Sequence, residues 1–402
     1  MYTIHVLHIF TSLVLLSHVV ASNQNSQQKP ATPVFKLDVP NPTADKPQSK
    51  VWYSRDCWWA CLPTLKGNQI WKRSPAGWTR IDDVDSPVRD LFGHGDVYVE
   101  QDLVHIVLVS PQGLTVIVMY YDERRSGYVR VSPPTTWPVA ASGSIETATI
   151  TRDGTGRLWV AYDAKQSVWV RASKSPVGIA WTDPILLGTR TSDDDICAIT
   201  GLRGGVGMIW SNQNTESVLF RFHRNCESPE TWDQTQIVAQ GHKTADDHLN
   251  CAVAEDGTLY VATKTSIDAL NKPLLSLRQR LPSGQWQSHA YAALAPDVEP
   301  TRPIVMVSYR PQRLVLCHTL YGTGKLNAGV NSISGLICRF PDPDLRGEGV
   351  ELIRPITRLN NVTGCKSLLP VNAPSVILAS DRDGNVYEAV LDVSTSALQD
   401  SK

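Results

Sequence analysis

The reactive side chains of this sequence gather in short polar clusters, each placed just ahead of an alternating apolar segment. The richest is Asp246-Asp247-His248-Leu249-Asn250, where two carboxylates precede the one side chain type that titrates near neutrality and an amide follows. Other clusters supply Asp96, Glu146, Asp194 with Asp195, Arg302, Asn360 with Asn361, and Lys366. Further along their segments stand Tyr162-Asp163, Trp210-Ser211-Asn212-Gln213, Lys264-Thr265-Ser266 and Ser380-Asp381. This is the inventory of a sugar or acidic-ligand site: aromatic faces take pyranose rings, amides read hydroxyls and cations pair with carboxylates. The reaction it suggests is β-elimination at a uronate. Arg302 or Lys264 would neutralise the carboxylate and acidify the neighbouring C–H, and His248 would remove the proton. Hydrolysis by a carboxylate pair among Asp194, Asp246 and Asp247 is the enzymatic alternative, with carboxyl separation deciding retention or inversion. Asp195, Asn250, Trp210, Asn212 and Asn361 complete the candidate ligand-binding set.

Each of these residues also has a plain structural use. Asp194, Asp195 and Asp246 are placed where aspartates cap neighbouring backbone. A histidine between acids is commonly just hydrogen-bonded, Arg302 could brace two units, Lys264 could be solvated and Trp210 could be core. Asn361-Val-Thr363 matches a glycosylation acceptor that a channel-facing position would disable. No Gly-x-Ser-x-Gly, phosphate-binding glycine loop or His-Glu-x-x-His is present. Cysteine and histidine spacing offers no metal site, and no cofactor is expected. The oxygen ligands of the channel aspartates leave Ca2+ as the one ion to consider.

The elements that must position these groups follow a weak repeat of about 50 residues, which marks a propeller or solenoid. Cys251–Ala254, the turn Glu255-Asp256-Gly257 and Thr258–Ala262 form one strand pair. Thr147–Ile150 with Leu158–Tyr162, and Ile196–Ile199 with Val206–Trp210, repeat the plan. Alternating strands joined by Asp-Gly or Gly-Gly turns select an all-β fold, a seven-bladed β-propeller, with six blades as the alternative. The seventh unit runs short, and Val34-Phe-Lys-Leu37 is expected to complete it and remove the exposed edges. Late tryptophans, Trp78, Trp181, Trp232 and Trp286, read as outer-strand residues packing on the next blade. In such a ring the inner strands begin at one channel mouth, so the polar clusters converge there. Their unlikeness from unit to unit favours a single composite site.

Residues 3–20 are largely apolar and are followed by Ala21 and a polar stretch, the pattern of a signal peptide over 1–21 and of export to a secreted or periplasmic location. Residues 22–33 read as a disordered tether, and 34–395 as one propeller domain. With 38 Lys and Arg against 39 Asp and Glu, no net field attracts nucleic acid, and no later segment would insert in a membrane. A monomer whose partner is a glycan or polysaccharide is expected. Of the eight cysteines, Cys317 and Cys338 could meet across strands of one unit, whereas Cys57 and Cys61 are too far apart along a strand to pair.

The segments Asp246–Asn250, Asp256-Gly257-Thr-Leu-Tyr260, Lys264-Thr265-Ser266, Thr301-Arg302-Pro303-Ile304, Thr155–Tyr162, Asp194-Asp195-Ile196 and Trp210-Ser-Asn-Gln213 carry a resemblance. The stretch from about Thr147 to Tyr387 resembles a widespread group of uncharacterised bacterial proteins with neuraminidase-like (BNR) propeller repeats. More distantly it is similar to propeller polysaccharide lyases and rhamnosidases acting on uronic-acid-containing glycans. Those use His, Tyr, Arg or Lys around a uronate, a pattern that His248, Arg302 and Lys264 match here. Sialidase activity is disfavoured, because the arginine triad and full Ser-x-Asp-x-Gly-x-x-Trp boxes are missing. The reading is a propeller that engages an acidic glycan at its channel mouth, as a uronate-directed lyase or a glycosidase. Its rival from another class is a non-catalytic carbohydrate- or protein-binding scaffold.

Overall fold

The computed structural model describes residues 31–81, 86–138, 145–175, 178–296, 298–309, 313–322, 334–339, 350–353 and 357–391. The expected signal peptide and most of the expected tether lie outside them. Apart from one 3-10 turn at Gln213–Thr215, the regular structure of the described residues is all strand. The strands form seven antiparallel sheets, six of four strands and one of five, in sequence around a ring. The inner strands are Val51–Ser54, His94–Glu100, Ala148–Arg152, Cys197–Leu202, Leu249–Val253, Val298–Ser308 and Val362–Thr363, here blades 1 to 7. Blade 7 takes its fourth strand from Phe35–Lys36, which pairs with Asn385–Leu391 and closes the ring, as the alternation at Val34–Leu37 predicts.

Side chains on the inner strands tie blades 2, 3, 5 and 7 to their successors. The Ile150 N–H donates to Asp96 Oδ2 at 2.8 Å and the Ile199 N–H to Thr149 Oγ1 at 2.9 Å. The Val305 N–H donates to Asn250 Oδ1 at 3.0 Å and the Lys50 N–H to Thr363 Oγ1 at 2.9 Å. These bonds satisfy inner-edge amides that would otherwise be buried without partners. At the outer edge the tryptophans recur as expected, but they pack on the preceding blade. Trp78 Nε1 donates to Glu388 Oε2 of blade 7, Trp181 meets Trp137 of blade 2, Trp232 meets Trp159 of blade 3 and Trp286 meets Phe220 of blade 4. The right-handed twist of each sheet carries its outer strand back over its neighbour.

Turn aspartates set the hairpins. Asp153 accepts the N–H groups of Thr155 and Arg157 at 2.9 and 3.0 Å and Trp159 Nε1 at 2.9 Å. Asp256 accepts the Thr258 N–H at 2.8 Å, and in the last hairpin the bonded carboxylate is Asp381 rather than Asp383. Cys317 is disulfide-bonded, and Cys338 stands opposite it in the strand register. Cys57 and Cys61 are free thiols. No helix among the described residues is long and apolar enough to cross a membrane.

One element has no counterpart in the sequence reading. Between the rim strand Phe35–Lys36 and the inner strand Val51–Ser54, the chain runs from rim to axis, and residues 41–50 enter the channel. Thr43 donates to the Asn361 carbonyl of blade 7 at 2.5 Å, and Gln48 Nε2 donates to the Ala148 carbonyl of blade 3 at 3.0 Å. The Ser49 N–H donates to Asp96 of blade 2 at 2.8 Å, and the Pro47 carbonyl accepts from Asn250 Nδ2 of blade 5 at 3.0 Å. A segment held by blades 2, 3, 5 and 7 at once plugs the channel.

Candidate functional site

The polar openings of blades 3, 4 and 5 meet the plug at one mouth. His248, only 6 % exposed, places Nδ1 at 2.6 Å from Asp246 Oδ1 and 2.5 Å from Asp247 Oδ1. Burial lowers its pKa to about 4, against the hydrogen bond it donates to Asp246 and that carboxylate's charge, while the Lys46 and Arg302 charges push the same way as burial. The ring is therefore neutral at neutral pH. A bare Nδ1 lone pair facing two carboxylates would be repelled, so the proton sits on Nδ1 and donates to them. Nε2 is left as an acceptor, facing Thr301 Oγ1 at 3.4 Å.

Asp246 is held by Lys264 Nζ at 3.2 Å and Ser266 Oγ at 3.0 Å as well as by His248. Burial would raise its pKa, but the His248 bond and charge together with Lys264 lower it to about 2, so it stays ionised. Lys264 also reaches Glu299 Oε1 at 3.4 Å. Asp247 is ion-paired with Lys46 of the plug, and the same ammonium lies 3.4 Å from Glu146 Oε1. Glu146, Asp194 and Asp247 bring carboxylate oxygens within 4.8 Å of one another. Burial, opposed by Lys46 and reinforced by Asp163 and Asp194, raises the Glu146 pKa to about 7. This carboxyl keeps its proton almost to neutrality and can donate it.

Arg302 follows Thr301 at a break in the strand register between Thr301 and Ile304, with a left-handed φ of 51°. Bulges of this kind re-aim a side chain. Here the guanidinium lies over the Tyr321 ring at 5.4 Å, and Arg358 lies over the same ring at 3.4 Å. Arg302 Nε is buried without a hydrogen-bond partner among the described residues.

Asp194, Asp246, Asp247, His248 and Lys264 thus come together, with Arg302 beside them. Five other candidates serve the frame instead. Trp210 is 1 % exposed and packs in the core with Trp159 and Met208, because its strand position points between blades rather than into the mouth. Asn212 caps the 3-10 turn by accepting the Thr215 N–H at 3.1 Å. Asp195 accepts the Ser192 and Gln213 N–H groups at 2.6 and 3.0 Å, which leaves it to its own turn. Asn250 bonds blade 6 and the plug, and Asn361 Nδ2 donates to Asp45 Oδ1 at 3.3 Å. Glu146 was visible in the sequence only as one cluster member among several. Nothing local marked Lys46, Tyr321 or Arg358.

The spacing of Asp246, Asp247 and His248, and that of Glu146, Asp194 and Asp247, would suit a cation. In the second group the Lys46 ammonium is already bound to Asp247 and Glu146, and in the first the histidine donates its proton. Asp96, one of the aspartates considered for Ca2+, is buried and gives its oxygens to the Ser49 and Ile150 N–H groups and to Lys366.

No family model matches the chain, and no curated protein is similar to it in sequence. Among solved structures it is similar to an ulvan lyase of polysaccharide lyase family PL25 bound to -[GlcA(1-4)Rha3S]-, with a TM-score of 0.55 at 10 % identity, covering 91 % of this chain and 96 % of that one. It is also similar to an α-L-arabinanase of Penicillium chrysogenum, with a TM-score of 0.46 at 10 % identity over 90 % of this chain and 99 % of that one. At such identity the first likeness speaks for the fold, a β-propeller shared with carbohydrate-active enzymes.

Proposed function

We propose that this protein is an exported propeller that binds an acidic polysaccharide at the channel mouth and cleaves it by β-elimination at a uronate. The observation that carries the reading is the orientation of His248. Its Nδ1 proton is committed to Asp246 and Asp247, so its neutral Nε2 is left as a base, facing Thr301, the residue that immediately precedes Arg302 at the bulge. In the reaction Nε2 takes the proton from the carbon next to the carboxylate. The C–H electron pair forms the C–C double bond, and the bond to the glycosidic oxygen breaks. Arg302, with Arg358 over Tyr321, supplies the positive charge that stabilises the enolate-like intermediate. Glu146, protonated near pH 7, is the donor for the departing oxygen. A left-handed backbone at a non-glycine residue costs on the order of 1–3 kcal/mol, a strain that often accompanies function. The ulvan lyase of similar fold is bound to a glucuronate-containing glycan, which fits the substrate class named here; fold alone does not fix the reaction.

A second reading, glycoside hydrolysis, is favoured by one observation. Glu146, with its raised pKa, lies with Asp194 and Asp247 in a group whose carboxylate oxygens are within 4.8 Å, close to the separation of about 5–5.5 Å found in retaining glycosidases. The test is incubation of the purified protein with a panel of uronic-acid polysaccharides, following both unsaturated-uronate absorbance and reducing ends. Elimination produces both signals, and His248→Ala then lowers the rate by about 10²–10⁴-fold. Reducing ends without absorbance transfer the site to hydrolysis. Glycan binding with neither signal would leave a binding module and sink both catalytic readings.

A further inference from the structure

We propose that Lys46 is a positioning residue of this site, delivered by the amino-terminal plug to hold Asp247 and Glu146 beside His248. The proposal rests on the channel mouth being the reactive site. Glu146 precedes the inner strand of blade 3, Asp194 that of blade 4, and Asp247 that of blade 5. Three carboxyl groups whose oxygens approach within 4.8 Å repel one another once ionised; with Lys46 present Glu146 already holds its proton almost to neutrality, and without that cation the group would separate or hold its protons more tightly still. The Lys46 ammonium is ion-paired with Asp247 and lies 3.4 Å from Glu146, with its side chain only 11 % exposed.

The backbone that carries Lys46 is fixed independently of the ammonium. The Pro47 carbonyl accepts from Asn250, Gln48 Nε2 donates to Ala148, and Thr43 donates to the Asn361 carbonyl. Lys46 therefore has little freedom to leave, and its long stem has one place to put its charge. A plug that only filled space would be served as well by an apolar side chain at this depth. Through Asp247 the lysine also sets the second carboxylate on His248 Nδ1. The charged groups that act on the imidazole are Asp246, Lys46 and Arg302, with Asp247 in contact. Those acting on Glu146 are Lys46, Asp163 and Asp194.

The test compares the full chain with Lys46→Met and Lys46→Arg. The titration of the His248 ring is read by NMR through its two nitrogens, alongside kcat, KM and the rate–pH profile on whichever uronate glycan is turned over. Lys46→Met should move the His248 midpoint upward from about 4 and lower kcat by up to about 10²-fold with little change in KM, while Lys46→Arg restores both. Should Lys46→Met fail to fold, Lys46→Gln replaces it, and a thermal melt of each variant separates folding from positioning. An unmoved His248 titration in a folded neutral variant overturns the proposal. The NMR readout needs no substrate. If no glycan is bound or turned over and yet the titration moves, Lys46 keeps its role and the glycan reading alone falls.

Discussion

Lys50, at the end of the plug, allows a quantitative test of how the channel is built. Its side chain is fully buried, with Nζ donating to Gln48 Oε1 and to the Gly95 carbonyl, both at 2.6 Å. Burial lowers its pKa from the ordinary 10.5 to about 7, although Asp45 and Asp96 pull the other way. At 1.36 kcal/mol per pH unit, carrying this charge inside the fold costs about 5 kcal/mol relative to the unfolded chain. Below pH 7 both states are protonated and that cost is present in full. Between pH 7 and 10.5 the unfolded state holds a proton that the folded state lacks, so stability rises with pH. The gain over pH 6.5 to 8.5 should be about 2 kcal/mol.

The perturbation is Lys50→Met, and the assay is urea denaturation of both proteins across that range. Met leaves Gln48 Oε1 and the Gly95 carbonyl without their donor, at about 1–3 kcal/mol each, so the two proteins need not be equal at any single pH. Their difference is the informative quantity. Contributions from Glu146 and from the buried thiols Cys251 and Cys365, whose pKa values are pushed up to about 12 and about 11, occur in both proteins and cancel. Cys61 interacts with Lys50 directly, which is why the range ends at pH 8.5. Wild-type stability should climb relative to the variant from pH 6.5 to 8.5. Parallel pH dependences would show that Lys50 titrates at its ordinary value and that the plug does not exclude water from it.

Two further outcomes follow from the same geometry. Asp96→Asn should cost about 3–5 kcal/mol in chemical denaturation, because it leaves Lys366 buried against an amide and turns a donor toward the Ser49 or Ile150 N–H; a loss below 1 kcal/mol would mean that the inner-strand bonds do not hold the ring. Glu146→Gln should remove the alkaline limb near pH 7 from the kcat profile on a uronate glycan and lower the maximum rate, whereas an unchanged limb would assign the donated proton to another group.

The fold was legible because its signals are local. Hairpin turns such as Asp153–Gly156 and Asp256–Gly257 announce themselves within five residues, and the alternation at Val104–Val109 or Leu158–Tyr162 reports a strand without reference to any other part of the chain. The cluster Asp246-Asp247-His248 was legible for the same reason. Trp210 and Asn212 were misplaced because an aromatic and an amide after a strand look alike whether they line a mouth or fill the gap between blades. The difference is set by blade packing and by one short 3-10 turn.

The plug lies at the other extreme. Asn41-Pro-Thr-Ala-Asp-Lys-Pro-Gln48 has the composition of an exposed linker, and nothing in it distinguishes a tether from a buried crossing. Its order comes from partners 46 to 337 residues away, His94, Ala148, Asn250, Asn361 and Ser380, which are neighbours only once the ring has closed. Phe35–Lys36 must sit at the rim to close blade 7, and Val51–Ser54 must sit at the axis to begin blade 1, so some segment has to join them. A crossing that only joined them could run over the surface, with its polar backbone in water. This one is buried, and its carbonyls and amides are matched by donors and acceptors from four blades. The same closure that removes the sheet edges thereby carries Lys46 to three carboxylates that the repeat alone would have left to repel one another.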